Sequence, residues 1–241
     1  MDKEQVFFQP AFVLHQRPYR NTSVIVDIFS RDFGRLSLIA KGVKQKNSSL
    51  KSILQNFQLL NLSWVRRSEL GTLTSAEFQN TTIHLDQEAI YPALYLNELI
   101  IRLTHSFDAM PELFDAYVDT LNALNENIST QVILRLFEKQ MLQSLGYEIH
   151  LSHDADSHKA IEPHKYYSYI PELGFVETLF EEKNKMQFKG EHLIAFDLNQ
   201  IEQIDVLKTA HRLTHINLKK LLGDKPLKSR ELYKAYKAIS L

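Results

Sequence analysis

Two short clusters carry the residue types that could do chemistry: Arg17-Pro18-Tyr19-Arg20 and Arg66-Arg67. Between them lie Arg35, Lys41, Lys44, Lys46 and Lys51, with no acidic residue anywhere from Arg35 to Lys51. Arginine and lysine at such density neutralise phosphates, and a tyrosine among them offers a flat ring for a stacked base. Non-covalent capture of a nucleic acid is the chemistry these residues suit. Covalent chemistry finds no comparable support, because the chain contains no G-x-x-x-x-G-K-[ST], no glycine-rich dinucleotide motif, no G-x-S-x-G and no H-E-x-x-H. Asp27 and Asp32 are too few for a two-metal nuclease in the basic segment.

The elements that must position these cations read as β over the first 80 residues. Gln9–Gln16 is an apolar run opening after Pro10, and Ser23–Ser30 is rich in β-branched residues, apolar on both faces apart from Asp27. The turn Arg31–Gly34 returns the chain into Gly34–Lys41 as a hairpin. There Leu36, Leu38 and Ala40 alternate with Arg35, Ser37, Ile39 and Lys41, the pattern of a half-buried strand. Ser48–Gln55 is long enough for one helical turn, with Ile53 and Leu54 available to plug a barrel end. Asn56–Val65 and Gly71–Phe78 supply a fourth and a fifth strand. Five strands with a helical turn after the third is the layout of an OB-fold, which binds oligonucleotides through its second and third strands and the loops joining strands one–two and four–five. Those loops are Arg17–Thr22 and Arg66–Leu70, both rich in arginine. Tyr19 and Phe33 are the candidate stacking rings, while Trp64 belongs inside the barrel.

From Asp86 the periodicity becomes helical. Residues 87–106 are apolar over most of the circumference, which predicts a helix at the centre of a bundle. Pro111 starts a second helix lined by Leu113, Tyr117, Leu121 and Leu124, and Ser129 caps a third, Thr130–Leu145, ended by Gly146. Residues 149–198 form an irregular insertion with short aromatic strands, and His150, His153, His158 and His164 cluster in its first part. Their spacing is not that of a zinc finger, and Asp154 and Asp156 read as solvated. Residues 205–239 hold an amphipathic helix closed by Gly223 and a last basic helix, with Ser229 as cap and Leu232 and Tyr236 turned inward. Lys228, Arg230, Lys234 and Lys237 there make a second positive patch, of which Lys228 and Arg230 are the candidate DNA contacts. The expected organisation is α+β in two parts: a five-stranded OB-fold barrel over 1–80, then a mainly helical domain over 81–241 with a small β insertion.

Net charge is only −1, but the signs are segregated. Residues 1–80 hold 11 Lys/Arg against 6 Asp/Glu, residues 81–200 hold 8 against 19, and residues 201–241 hold 9 against 4. A neutral chain with a basic face fits a polyanionic partner. There is no cysteine, so disulfides and thiolate metal sites are excluded. The acidic start of the chain and the lack of any apolar run of about 18 residues lead to the expectation of a soluble intracellular protein without membrane contact.

The chain also resembles the RecO family of bacterial recombination mediators. The resemblance runs through AFVLHQRPYRNTS (11–23), GRLSLIAKGVKQKNSSLKSILQNF (34–57), YLNELIIRL (95–103), ELFDAY (112–117), LRLFEKQML (134–142) and GDKPLKSREL (223–232). It implies an OB-fold followed by a helical body, no catalytic centre and no cofactor. It further implies binding of single- and double-stranded DNA, annealing of complementary strands, and work with RecR to load a recombinase filament on strands coated by single-strand-binding protein. A cytoplasmic, nucleoid-associated location follows. Many family members carry a four-cysteine zinc module near what would be residues 150–180; this chain departs from it completely, as the zinc-less branch does, so no metal is assigned. The resemblance places the docking site for the tail of single-strand-binding protein at Arg135, with Lys139 and Leu142 beside it. Two other readings remain open from the residues: an RNA-binding OB module, and a scaffold whose acidic middle segment holds a basic partner.

Overall fold

A computed structural model of the protein describes residues 4–79, 83–126, 128–178 and 186–239. In chain order the elements are β1 (Glu4–Tyr19), β2 (Ser23–Ser30), β3 (Gly34–Ala40), α1 (Leu50–Ile53), β4 (Leu60–Arg66), β5 (Leu70–Phe78), α2 (Ile90–Leu103) and α3 (Pro111–Ala123). They continue with α4 (Thr130–Ser144), β6 (Tyr166–Ile170), β7 (Gly174–Thr178), β8 (Gln187–Lys189), α5 (Gly190–Asp197), α6 (Ile204–Leu222) and α7 (Lys228–Ile239). Two compact units result, one of residues 1–127 with 226–241 and one of residues 128–225. The change from β to helical periodicity near residue 80 thus falls inside the first unit, which holds the barrel together with α2, α3 and α7. No helix among the described residues is long and apolar enough to cross a membrane.

The barrel closes in the order β1-β2-β3-β5-β4. All pairings are antiparallel except β3 with β5. Closure depends on β1, which is longer than its apolar run suggests. Its first half pairs with β4 and its second with β2, with register shifts between Val6 and Gln9 and between Val13 and His15. At the first shift Phe7 and Phe8 are both exposed, and Phe8 takes a positive φ of 49°. A bulge destroys alternation, so this part of the strand is invisible to a period-2 pattern. Inside the barrel, Val26, Ile28, Leu36, Leu38, Leu62 and Trp64 meet, and Leu54 is buried in the same cluster with Ile53 packed against it. β3 shows the expected alternation of buried and half-buried residues.

Every residue of β2 is buried, which a free-standing barrel could not achieve. Phe12 and Phe29 point outward and are covered by α3. Phe114 lies 5.5 Å from both rings and Tyr117 lies 4.9 Å from Phe12. Each fully buried phenylalanine contributes about 2–3 kcal/mol through area removed from water. The polar end of this layer is satisfied: Tyr117 donates to Asn97 Oδ1, and Asn97 Nδ2 donates to Leu14 O at 2.9 Å. Burial pushes the Tyr117 phenol far above its usual pKa.

The loop between α2 and α3 grips the β2–β3 hairpin. Gly34 has φ +63°, and a Cβ there would lie 1.9 Å from Asp108 O. Phe107 N donates to Arg35 O at 2.9 Å. Arg35 in turn sends Nη2 to Thr104 O at 3.0 Å, capping the C-terminus of α2 with a cation. Phe33, expected as an exposed stacking ring, instead packs edge-on against Trp64 at 5.3 Å, because the hairpin turn folds over the barrel end. α2 likewise is not the centre of a bundle: it packs against β1 and α7, and Leu94, Ile101 and Leu103 are only half-buried.

α7 docks through an unexpected cap. Ser229 does not cap its own helix but donates Oγ to Glu98 of α2 at 2.7 Å, and Lys228 N and Ser229 N donate to the same carboxylate at 3.0 and 2.9 Å. A carboxylate satisfying first-turn N–H groups is a favourable arrangement with the helix dipole. Tyr236 stacks on Tyr91 at 4.5 Å, whereas Leu232, expected inside, is 53% exposed.

In the second unit, α4, α5 and α6 pack with a three-stranded sheet of order β7-β6-β8. Ser129 offers α4 no side-chain cap. Gly146 and Gly223 end α4 and α6 at positive φ, as their positions predict. Asp154, read as solvated, is buried. Its Oδ1 accepts from Asp156 N, Ser157 N and Ser157 Oγ, and its Oδ2 accepts from Glu177 N, so one carboxylate pins the loop to β7. Burial raises its pKa, but these bonds outweigh it and leave the group below its ordinary value.

Gly34→Ala combines a clash with backbone and a left-handed φ. It is expected to cost at least about 2 kcal/mol, read as a lowered urea midpoint. Burial of Glu98 raises its pKa, yet the bonds from Ser229 and Lys228 bring it below the ordinary 4.5. A carboxylate depressed in the folded state stabilises above its unfolded pKa and loses that contribution as pH falls through the folded value. Protection of the amides over residues 228–236, taken relative to their intrinsic exchange rates, is therefore expected to fall as pH drops below 4.5, and Glu98→Gln is expected to remove that loss of protection.

Candidate nucleic-acid interface

The outer face of β1, β2 and β3 is divided. The end near Phe12, Phe29 and Arg35 is covered by the helices, as described above. The other end is open. Strand register places His15 beside Asp27 and Asp27 beside Ser37; one step further it aligns Arg17, Ile25 and Ile39. Tyr19 pairs with Ser23. The β1–β2 connection is shorter than the six residues expected, because β1 continues through Tyr19 and only residues 20–22 turn. Pro18 is tolerated because this half of β1 pairs with β2 alone. Arg17 is consequently a strand residue with fixed direction, not a loop residue.

At this open end lies a cleft of about 900 Å³. Tyr19, Arg20, Ile39, Lys41, Gln45 and Thr72 line it, together with Asn21, Thr22, Ser23 and Gly42. The Arg20 guanidinium sits 5.2 Å from the Tyr19 ring centre. The basic loop after β3 is anchored here: Val43 is buried and Lys44 N donates to Thr22 O at 3.0 Å. Lys41, Lys44, Lys46 and Lys51 all present exposed side chains. A flat ring flanked by cations and hydrogen-bonding amides suits a phosphate with an attached base.

The other expected cations have different surroundings. Arg66 pairs with Glu4 and lies 4.1 Å over the Phe107 ring, so its charge is engaged. Arg35 is spent on Thr104. Arg67 is exposed in the β4–β5 turn. Lys228 and Arg230 are exposed on α7 and do not line the cleft, and Arg230 lies 5.9 Å over Tyr95.

Sequence reading passed over Asp27 as an exception in an apolar strand. Its carboxylate is the meeting point of the open face: Oδ2 accepts from Arg17 Nη1 at 3.0 Å and lies 3.6 Å from His15 Nδ1, and Oδ1 accepts from Ser37 Oγ. A lone acid at mid-strand was the available signal. Gln45 and Thr72 were also missed, since nothing in their types marks them.

In the second unit Arg135 is only 8% exposed. Its Nη2 donates to Glu138 Oε1 at 2.6 Å, and its Nε has no hydrogen-bond partner among the described residues. Lys139 Nζ donates to Phe196 O, Asp197 O and Asn199 Oδ1 at 2.8–2.9 Å, capping the C-terminus of α5. Burial lowers the Lys139 pKa, against the opposing pull of Asp197 and Glu148. Leu142 is fully buried. Among the described residues no three or more His, Asp or Glu side chains come together as a metal site.

The sequence matches two family models end to end: Recombination protein O N terminal over residues 5–82 and Recombination protein O C terminal over residues 84–231. The DNA repair protein RecO of Haemophilus influenzae (strain 86-028NP) is 44% identical over 225 residues, covering 93% of this chain and 94% of that protein. Its counterpart in Pasteurella multocida (strain Pm70) is 41% identical over 230 residues, covering 95% of each, and that of Aliivibrio salmonicida (strain LFI1238) is 40% identical over 225 residues, covering 93% and 94%. With both models matched and relatives aligned over nearly the whole length, the chain belongs to the recombination protein O family, RecO.

Proposed function

We propose that this protein is a non-enzymatic recombination mediator of DNA repair. It binds single- and double-stranded DNA on the open end of the barrel face, anneals complementary strands, and with RecR helps to load the recombinase on strands coated by single-strand-binding protein. The observation that carries this reading is the cleft in which Tyr19, Arg20 and Lys41 converge on an OB-type barrel. Arg17, Arg20, Lys41, Lys44, Lys46, Lys51 and Arg67 are the proposed phosphate contacts, and Tyr19 is the stacking ring. Arg35 and Arg66 serve the site indirectly by holding the helical loop on the barrel. The cytoplasm and its nucleoid are the proposed location.

A charge-reversed Arg20→Glu, Lys41→Glu double variant is expected to bind a single-stranded oligonucleotide at least about tenfold more weakly. Its slope of log affinity on log salt is expected to be shallower by about 1.4, at about 0.7 per lost phosphate contact. An unchanged slope would place the site elsewhere, and an RNA oligonucleotide of the same sequence tests the preference for DNA.

The carboxylate-ended tail of single-strand-binding protein is proposed to dock at Arg135, whose Nε has no hydrogen-bond partner among the described residues, with Lys139 as neighbour. Arg135→Ala is expected to lose affinity for a tail peptide while binding naked DNA as before, both measured by fluorescence anisotropy. Loss of both together would indicate a folding defect.

A further inference from the structure

A face built to receive a polyanion holds a carboxylate at its centre, and that is physically costly. Asp27 is 11% exposed at its side chain and Arg17 is 51% exposed, so the pair has one end fixed in the sheet and the other at the surface. Ser37 Oγ donates to Asp27 Oδ1 and fixes the carboxylate, leaving Oδ2 to Arg17 Nη1 at 3.0 Å, with His15 Nδ1 at 3.6 Å. Arginine has five N–H donors, and Arg17 uses Nη1 alone in this contact. The guanidinium is therefore held at the open face with its other donors making no hydrogen bond among the described residues, but its charge is already balanced.

We infer that Asp27 is a built-in competitor for the DNA phosphate: it holds Arg17 in position while the face is empty and sets the affinity of the occupied face down. The inference rests on the DNA-binding reading above. An incoming phosphate meets an arginine that is oriented in advance, then must share it with Asp27 or displace Asp27 from it. The neutralising power of the face falls by about one charge, and bound strands exchange more readily. For a protein that brings strands together and then leaves them, a damped affinity is functional. A merely structural carboxylate would join β1, β2 and β3 without affecting binding.

The test is a double-mutant cycle on the full chain with a fluorescent single-stranded oligonucleotide. Asp27→Asn keeps the shape and an acceptor for Ser37 while removing the charge. It is expected to raise affinity about three- to tenfold at low salt, the size of one unit charge at surface distances. The salt slope is expected to steepen by about 0.7, as one more phosphate is neutralised. In the Arg17→Ala background the same substitution is expected to gain less than about twofold, because the coupling runs through Arg17. Unchanged or weaker binding by Asp27→Asn overturns the inference, and so does an equal gain in both backgrounds. Should Asp27→Asn lose its cooperative melting transition, Asp27→Ser, whose hydroxyl can still bond Ser37, gives the same reading. A wild-type protein with no affinity for the oligonucleotide overturns the DNA-binding reading and this inference together.

Discussion

The grip of the α2–α3 loop on the β2–β3 hairpin is the interaction on which the rest of the first unit depends. Gly34 lets the loop approach to backbone contact, Phe107 N bonds Arg35 O, and the Arg35 side chain reaches the carbonyl of Thr104. With the loop held there, α3 is laid over Phe12 and Phe29, and Phe107 comes under Arg66. Half of the outer barrel face thereby becomes core. The other half, from Asp27 to Lys41, is what remains for a ligand.

This division explains why equally basic residues have unequal roles. Arg35 lies on a helical C-terminus, where a cation is stabilised by the unsatisfied carbonyls and is least available to a phosphate. Arg66 is half-spent on Glu4 and on a ring. Arg20 and Lys41 line the cleft, Arg20 beside the Tyr19 ring, and neither forms an ion pair among the described residues. Lys139 repeats the pattern of Arg35 in the second unit, capping α5 with three hydrogen bonds. A count of positive residues describes the field that attracts a polyanion, but the partner of each one decides where the polyanion can settle.

Membership of the recombination protein O family and the barrel geometry support each other at different levels. The family models match the chain in two consecutive parts, residues 5–82 and 84–231. The geometry sets the proposed interface at one end of one sheet face rather than over a whole basic segment, and adds Asp27, an anion that the family resemblance gave no reason to single out. In the Arg17–Asp27 pair the guanidinium is half exposed and the carboxylate is buried, so only the cation of the pair is open to solvent.

Much was legible without coordinates. Alternation revealed β3, an apolar β-branched run revealed β2, β4 and β5 were expected although β4 begins at Leu60 rather than Asn56, and the proline and glycine signals bounded α3, α4 and α6, because each of these follows from local sterics and periodicity. What needed the tertiary structure was every feature set by contact between distant segments. The bulge at Phe7–Phe8 erased the pattern of β1, and the turn placed Phe33 on Trp64 rather than in solvent. Glu98 capped a helix 130 residues away, and Asp154 became a buried tie through bonds from its own loop and β7. Sequence alone determined that this is a barrel-and-helix protein with a basic face suited to nucleic acid. Only the folded chain decided which cations on that face are free, since charge is a property of the residue but availability is a property of its partners.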